Sequence, residues 1–267
     1  MRLGIYVISL QASVQRRAEM QRQLSALGLA FEFVDSVDGR QLPDSAMAAA
    51  NQARAERFPR DRPLTSGEVG CALGHRQAYE SIDRHGLDGA IVLEDDVLLT
   101  PALGEFAQWL AARPPHGDWS ASIFWLGGAE GIGGQEFLVT SLWRRIAHGR
   151  GRLARMVRSE KFVIRACGYF IGKGAAGKIC RFNAAPVTVA DDWKNFYRAG
   201  LLQDIYIAQQ PLLHHPVDLQ GSLLEPERKV ADEHEPPMKL FASPRRAIRP
   251  AKAALRRIWR QLYRVLP

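Results

Sequence analysis

Three consecutive carboxylates, Glu94, Asp95 and Asp96, follow the apolar run 90–93 and precede a second apolar run, 97–99. Burying unpaired carboxylates is costly, so such a cluster needs a partner. A divalent cation, which accepts several carboxylate oxygens at once, is one partner. Solvent at a strand end, or arginines from elsewhere in the chain, are the alternatives. Ligand sites in open α/β sheets lie beyond the carboxyl ends of strands, so the triplet stands where such folds bind ligands.

Four more charged residues occupy comparable positions. Asp35 and Asp38 end a second predicted strand, where a carboxylate can bind a nucleotide base or ribose. A simple turn before Gly39 is the alternative. Arg16 and Arg17 open the first predicted helix, from which they either reach a diphosphate or are solvated. These residues are therefore candidates for a nucleotide-binding edge.

The histidines and cysteines give weaker signals. Glu68 fits a capping box with Thr65 better than a catalytic role, and His75 either touches a ligand or is a satisfied helix histidine. His214 and His215 close a predicted strand, as a surface pair or as metal ligands, since imidazole is acceptable to Mn²⁺. The cysteines show no zinc-ligand spacing and are expected to be reduced thiols of a cytosolic protein. They are Cys71, Cys167 and Cys180.

The elements that must position these residues begin with a β-α-β unit. The apolar run 4–10 predicts a buried strand, and Ser13 and Gly28 mark the two ends of a helix. Segment 30–39 predicts a short second strand that ends in a polar turn. Such a unit implies a parallel sheet with a right-handed crossover.

The rest of the chain is predicted to alternate helices and strands within one α/β domain, 1–235, followed by a tail, 236–267. Segment 144–165 shows no clear periodicity and is expected to be a loop or an excursion from the domain, and segment 186–197 is expected to be a loop with two more carboxylates. The predicted helices are 44–58, Thr65 to Gly86, 101–112 and a small one near 173–179. The predicted strands are 89–93, 122–128, one within 163–172, and 204–216, which ends at the paired histidines.

Positive charge is concentrated in the tail of this 267-residue chain. The net charge is +8, yet residues 238–267 hold nine Lys or Arg and no Asp or Glu. Segment 144–165 is also basic, with eight Lys or Arg and one Glu. The tail's apolar residues recur at helical spacing among arginines, which is typical of an amphipathic helix on an anionic membrane. They are Leu255, Ile258, Trp259, Leu262 and Leu266.

The composition also bears on other partners of the tail and on the location of the protein. Packing of the tail on the protein's own body is the alternative to membrane binding, and nucleic acid is not an expected partner because the apolar face has no role there. No run approaches the roughly 18 apolar residues of a membrane span, and the N-terminus lacks the composition of a signal peptide. A cytoplasmic location is therefore expected.

Several segments, in order, resemble glycosyltransferase family 25, of the lipooligosaccharide galactosyltransferase type. They are "YVISLQASVQRRAEMQRQL", "FEFVDSVDG", "LTSGEVGCALGHRQAY", "AIVLEDDV", "ACGYFIGKGAAGKI" and "PVTVADDW". The resemblance covers about 3–225; Gly74 stands before His75 where the family usually has Ser. It implies a GT-A-like, Rossmann-type fold, a UDP-sugar donor, and Mn²⁺ or Mg²⁺ at an Asp-x-Asp-type motif matched by Glu94-Asp95-Asp96.

The residues and the resemblance together suggest roles. Metal ligands are expected at Glu94, Asp96 and His215. The base that accepts the proton of the acceptor hydroxyl is expected at Asp191 or Asp192, for which a helix cap is the alternative role. Glu130 is the competing base. The aromatic residues that either stack on an acceptor sugar or belong to the core are Trp193, Phe196 and Tyr197. The expected donor-binding residues are Ser9, Leu10, Arg16, Asp35, His75, Glu94 and Asp95.

The sequence thus predicts an inverting, metal-dependent glycosyltransferase that moves a hexose, with galactose the first candidate, from a UDP-sugar to a lipid-linked saccharide such as lipooligosaccharide. It is expected to be peripheral on the cytoplasmic face of the inner membrane. One alternative is a non-catalytic, envelope-associated saccharide-binding protein, against which the intact triplet argues. The other is a metal-dependent phosphohydrolase, for which a Gly-rich phosphate loop or an Asp-nucleophile motif is missing.

Overall fold

The computed structural model describes residues 1–114, 119–133, 135–185 and 188–216. The predicted tail, 236–267, lies outside the described residues, so its helix and its membrane role stay predictions. Within the described ranges, no helix is both long enough and apolar enough to cross a membrane.

Helices pack on both faces of a mixed sheet that has eight strands within the described residues. The elements, in chain order, are β1 (Leu3–Ser9), α1 (Val14–Ala26), β2 (Glu32–Asp35), α2 (Asp44–Arg57), α3 (Ser66–Arg84), β3 (Gly89–Glu94), β4 (Leu98–Leu99), α4 (Pro101–Ala111), β5 (Ser122–Trp125), β6 (Thr140–His148), β7 (Gly151–Met156), β8 (Gly168–Gly172), α5 (Lys173–Phe182), α6 (Trp193–Arg198), β9 (Asp204–Ala208) and β10 (Leu213–His214). The strand order is β2-β1-β3-β8-β5-β9-β7-β6, and β4 pairs with β10 separately.

The first three strands of the large sheet run parallel, as the β-α-β pattern predicts. In the register, Ser9 lies opposite Asp35, and Ile8 lies opposite Glu94. Because the carboxyl ends of parallel strands meet at one edge, this pairing gathers Ser9, Asp35 and the acidic triplet there.

The other half of the sheet is mixed, and here three predictions were wrong. Segment 144–165 was expected to be a loop, but most of it forms the antiparallel hairpin β6–β7. Segment 186–197 ends in the short helix α6, and 204–216 is not one strand but β9, a turn and β10. The sequence pattern does not reveal this hairpin because β6 is an edge strand. Arginines such as Arg144 and Arg145 are exposed there and obscure the alternation of polar and apolar residues. Charged residues are common on edge strands, where they discourage pairing with other chains.

Side chains of β3 alternate between two hydrophobic cores. Ala90 and Val92 pack in the core under α3 and α5, whereas Ile91 and Leu93 pack in the core under α1 and α4. Because a strand alternates its side chains, Glu94 belongs to the α3 face. The side chain of Glu94 is thereby directed to surroundings different from those of its neighbour Asp95.

Helix α3 is fixed against the strands at its start and its middle. Thr65 and Glu68 form the predicted capping box, and Arg62 pairs with Glu68. A Cβ at Gly74 would lie 2.7 Å from Ser36 Oγ and 2.9 Å from Ile8 Cγ2, too close without a shift. Glycine in place of the usual Ser therefore lets α3 approach the parallel strands closely.

Candidate active site

Asp95 is held by a hydroxyl and a guanidinium at the edge of the sheet. Ser9 Oγ donates to Asp95 Oδ2 at 2.6 Å, and Arg16 Nη1 donates to Asp95 Oδ1 at 2.9 Å. Arg16 stands in the first turn of α1, and the carbonyl of Leu10 accepts the hydrogen bond from Ser13 N that precedes this helix. Four predicted donor-binding residues therefore meet here.

Asp96 lies between an arginine and a histidine. Arg16 Nη1 is 3.6 Å from Asp96 Oδ2, and His215 Nε2 is 3.5 Å from Asp96 Oδ1. Burial alone would raise the pKa of Asp96, but His215 and Arg16 outweigh burial and lower it. In turn, Asp96 raises the pKa of His215. The pair therefore favours an ionised carboxylate beside an imidazole that is protonated more readily than usual.

One oxygen of this pair is an exception to ordinary packing. Asp96 Oδ1 is buried and has no hydrogen-bond partner among the described residues. A buried acceptor that receives no hydrogen bond is costly even with His215 Nε2 3.5 Å away, and a carboxylate beside an imidazole is a suitable ligand set for a divalent cation. Asp96 and His215 thus fit the predicted metal.

Glu94 faces away from these two residues and toward α3. Its Oε1 lies 3.3 Å from His75 Nε2, and His75 Nδ1 is 2.7 Å from the hydroxyl of Tyr169. The Tyr169 hydroxyl is also 2.6 Å from that of Tyr79. Burial raises the pKa of both tyrosines, which keeps them neutral. Of the three predicted metal ligands, the structure thus brings two together, whereas Glu94 ends a chain of buried hydrogen bonds.

The carboxylates of the second strand contact arginines. Asp35 accepts from Gln11 and Arg17, and these hydrogen bonds lower its pKa. The two adjacent arginines therefore contact different carboxylates, since Arg17 binds Asp35 whereas Arg16 binds Asp95 and lies near Asp96. Asp38 caps the turn that contains Arg40, which is the predicted turn role.

Glu130 is joined to His214, the last residue of β10, and to His215, which follows it. His214 Nδ1 is 2.7 Å from Glu130 Oε1, and the backbone N–H of His215 donates to Glu130 Oε2 at 3.2 Å. Burial works to raise the pKa of Glu130, but these hydrogen bonds and its own backbone N–H lower it overall. Glu130 is thus a carboxylate with a lowered pKa, and it is bonded to the backbone of His215, the residue that contacts Asp96.

Asp191 and Asp192 bond mainly to backbone and amide groups. Asp191 Oδ2 accepts from Arg165 N, and Asp192 accepts from the backbone and side-chain amides of Asn195 as the N-cap of α6. Burial raises the pKa of Asp192. The predicted alternative role as a helix cap is thus confirmed for Asp192.

The aromatic candidates after this pair are mostly core residues. Trp193 and Phe196 are fully buried, and Tyr197 is half-buried. Stacking of the first two on an acceptor sugar was therefore the wrong alternative. The burial also explains why α6 forms, because its apolar side chains pack under the sheet.

Sequence reasoning missed Arg165 and the bonds of His214. Arg165 has φ of +67°, donates Nη1 to Gly128 O and accepts the indole N–H of Trp193 on its own carbonyl. It thereby links the loop of Asp191 to the loop of Glu130. Its only sequence signal was its place in a basic segment, which points equally to the surface.

An acidic strand end held by an arginine and a histidine on a mixed α/β sheet is compatible with a nucleotide-sugar site, and the comparisons give the class. Residues 2–193 match the family model described as glycosyltransferase family 25 (LPS biosynthesis protein). The chain belongs to this family.

Curated relatives match over about a third of the sequence. A "Glycosyltransferase 25 family member" of Anopheles gambiae is 36% identical over 101 residues, which cover 36% of this chain and 17% of that protein. "Procollagen galactosyltransferase 2" of Homo sapiens is 36% identical over 99 residues, 35% of this chain and 15% of that protein. "Probable inactive glycosyltransferase 25 family member 3" of Rattus norvegicus is 38% identical over 96 residues, which cover 35% of this chain and 17% of that protein. These matches span less than a fifth of each relative's length.

Among solved structures, the chain is similar to a glycosyltransferase involved in the glycosylation of the major capsid of PBCV-1. The TM-score is 0.37 at 10% sequence identity, over 87% of this chain and 100% of the other.

Proposed function

We propose that this protein is an active, metal-dependent hexosyltransferase with a GT-A-like fold that uses a UDP-sugar, with galactose the first candidate sugar. The observation that carries the proposal is the end of β3, where Arg16 and His215 flank Asp95 and Asp96 and one buried carboxylate oxygen has no hydrogen bond. Membership of the family and the galactosyltransferases among its relatives support the choice of reaction.

The proposed cation is Mn²⁺ or Mg²⁺, with Asp96 and His215 as its protein ligands. Such an ion supplies positive charge that stabilises the leaving diphosphate. Asp96 is suited to this role because its Oδ1 is buried without a hydrogen bond, and His215 because its Nε2 already faces that oxygen. Glu94, which contacts His75, is not among the proposed ligands of this ion and would act on the donor.

Arg16 and its neighbours are the proposed donor-binding residues. Arg16 is a side chain at the start of α1 that can turn from the carboxylates to a diphosphate without a backbone change. Ser9 and Leu10 lie at the end of β1 beside it, and Asp35 lies at the end of β2, where a ribose or base would be bound. His75 positions Glu94 from the α3 side.

The proposed base is Glu130, in an inverting, single-displacement reaction. It takes the proton of the acceptor hydroxyl as that oxygen attacks the anomeric carbon. Glu130 is favoured over Asp191 and Asp192 because its oxygens bond to His214 and to the backbone of His215, the residue that contacts Asp96. Asp192 is committed to capping α6.

A lipid-linked, anionic envelope saccharide is the proposed acceptor, reached at the cytoplasmic face of the membrane. The described part of the chain offers one supporting surface, the hairpin β6–β7, where Trp143 is 85% exposed and Arg144 and Arg145 are exposed beside it. Tryptophan favours membrane interfaces, and each basic residue near an anionic surface contributes about 1 kcal/mol. Deleting 244–267 is expected to release most of the protein from anionic liposomes at physiological salt; equal co-sedimentation of both forms would contradict attachment through the tail.

Acceptor-dependent release of UDP tests the reaction. The full-length protein is incubated with Mn²⁺ and a panel of UDP-hexoses, with and without a lipooligosaccharide acceptor. UDP release from UDP-galactose only with acceptor is the expected result. Acceptor-independent hydrolysis, above all to UMP and hexose 1-phosphate, would favour the phosphohydrolase, and donor binding without turnover would favour the saccharide-binding protein; either result contradicts the proposal.

A further inference from the structure

A second group of ligand atoms gathers on the α3 face of β3. Cys71 and His75 stand one turn apart on α3, and Glu94 meets them from the strand end. Cys71 Sγ is 4.0 Å from Glu94 Oε1, His75 Nε2 is 3.3 Å from the same oxygen, and all three ligand atoms lie within 4.8 Å of one another. Among the described residues, these three are the metal-ligating side chains whose ligand atoms come this close together.

We propose that Cys71, His75 and Glu94 form a binding site for a thiophilic divalent cation of the Zn²⁺ type, separate from the proposed Mn²⁺ ligands Asp96 and His215. The proposal concerns binding alone, so it does not depend on the glycosyltransferase reaction. A thiolate, an imidazole and a carboxylate are together the ligand types that zinc takes in proteins. Mn²⁺ and Mg²⁺ prefer oxygen, so the thiol distinguishes this site chemically from the one at Asp96.

Two of the three separations between ligand atoms are close to those of tetrahedral zinc, and the third, between Cys71 Sγ and His75 Nε2, is within 4.8 Å. Nitrogen and oxygen ligands at about 2.0–2.1 Å from zinc lie roughly 3.3–3.4 Å apart at the tetrahedral angle. The observed separation of His75 Nε2 and Glu94 Oε1 is 3.3 Å. The thiolate, at about 2.3 Å from zinc, would lie roughly 3.6 Å from the oxygen, so the observed 4.0 Å must close by about 0.4 Å.

The surroundings orient the ligands as a metal site requires. Zinc-bound histidines use their second ring nitrogen to bond a neighbouring group, which fixes the ring. His75 Nδ1 bonds the Tyr169 hydroxyl at 2.7 Å, the two rings stack, and His75 is almost fully buried. Nε2 is thereby directed at Glu94.

Access and charge are also satisfied. The side chain of Glu94 is 28% exposed, which opens the site to solvent from one side. Three protein ligands leave the fourth tetrahedral position for water. Binding would convert the Cys71 thiol to a thiolate and release its proton to solvent, so the site would carry a thiolate and a carboxylate against the two charges of the ion.

Cobalt spectroscopy tests the site directly. Full-length, metal-free protein is titrated with Co²⁺ under a non-thiol reductant. We expect a thiolate-to-cobalt charge-transfer band that saturates at one equivalent and disappears when one equivalent of Zn²⁺ is added. Cys71→Ser is expected to lose the band, and the matched variant Cys180→Ser, on α5, is expected to keep it. Absence of the band in the wild type, or its survival in Cys71→Ser, would overturn the proposal.

Two further measurements guard against misfolded variants. In the wild type, equimolar Zn²⁺ is expected to slow alkylation of Cys71 at least fivefold, measured by peptide mass spectrometry, with Cys180 unaffected; an unchanged rate at Cys71 would contradict zinc binding there. Tyr169→Phe keeps the ring and removes the hydroxyl, and it is expected to weaken Zn²⁺ affinity by about tenfold or more. Unchanged affinity in that variant would contradict the orienting bond to His75.

Discussion

Two pairs of adjacent aspartates differ in the partners that neutralise them. Asp95 and Asp96, at the end of β3, face the guanidinium of Arg16 and the imidazole of His215. Asp191 and Asp192, before α6, accept hydrogen bonds from backbone and amide groups, among them Arg165 N and the amides of Asn195. The first pair is thus balanced by charge and the second by fixed dipoles.

This difference separates a binding role from a structural one. A guanidinium and an imidazole on flexible side chains can move aside when a cation enters or a diphosphate binds. Backbone N–H groups cannot move without refolding the loop, so Asp191 and Asp192 shape the chain they are bonded to. The pKa values agree, since the cationic neighbours lower that of Asp96 whereas burial raises that of Asp192.

The largest effect is expected from Asp96→Asn. This change keeps the shape but removes the charge that the account assigns to cation binding, so transfer should fall at least a hundredfold, on the order of losing one group that stabilises developing charge. Steady-state UDP release measures it. Asp88→Asn, the same change at the other end of β3, is the control and should retain activity. Equal activity of the two variants would contradict the assignment of Asp96 to cation binding.

The next effect is expected from Glu130→Gln, the proposed base. Removing a general base lowers kcat by about a hundred- to ten-thousandfold, while the KM for the donor should change little. Asp191→Asn and Asp192→Asn, which sequence reasoning placed first, are measured beside it. Losses larger in Asp191→Asn or Asp192→Asn than in Glu130→Gln would restore that earlier assignment and contradict the structural role of the second pair.

A smaller effect is expected on stability at the cap of α6. Asp192→Ala removes the N-cap and should lower the free energy of unfolding by about 1 kcal/mol, whereas Asp192→Asn, also a good cap, should cost no more than a few tenths. Urea unfolding measures both. Equal losses in the two variants would show that the charge, and not the cap, is what matters at this position.

The smallest effect is the pH dependence that follows from the raised pKa of Asp192. The folded state then binds more protons than the unfolded state between the ordinary Asp pKa of about 3.9 and the raised value, so stability falls as pH rises through that interval. The stability of the wild type relative to Asp192→Asn should therefore decrease from pH 3.5 to pH 6. A flat or rising difference, measured by urea unfolding at each pH, would contradict this interpretation.

The part of the candidate site at the end of β3 could be predicted from the sequence, because it follows one continuous strand. The triplet is visible because three carboxylates interrupt apolar residues, and the opening β-α-β unit is visible because β1 is an apolar run followed by an amphipathic helix. The contact of Arg16 with Asp95 follows once that unit is accepted, since it brings the start of α1 to the same edge.

The rest of the site depends on contacts between distant residues. Glu130 and His214 are 84 residues apart, and nothing in their local sequence pairs them. The hairpin β6–β7 was hidden because arginines obscure its alternation at the sheet edge. The pairing of Cys71 and His75 is visible as one helical turn, but the third member, Glu94, joins them only through the packing of α3 on β3.

Mn²⁺ binding in the presence of UDP tests the central claim most directly. Electron paramagnetic resonance of free Mn²⁺ is recorded while the full-length protein, with UDP, is titrated in, for the wild type, Asp96→Asn and Asp192→Asn. We expect one bound Mn²⁺ per chain in the wild type and in Asp192→Asn, and an Mn²⁺ affinity at least tenfold lower in Asp96→Asn. Equal Mn²⁺ affinity in all three proteins would contradict the assignment of the β3 end as the cation-binding site.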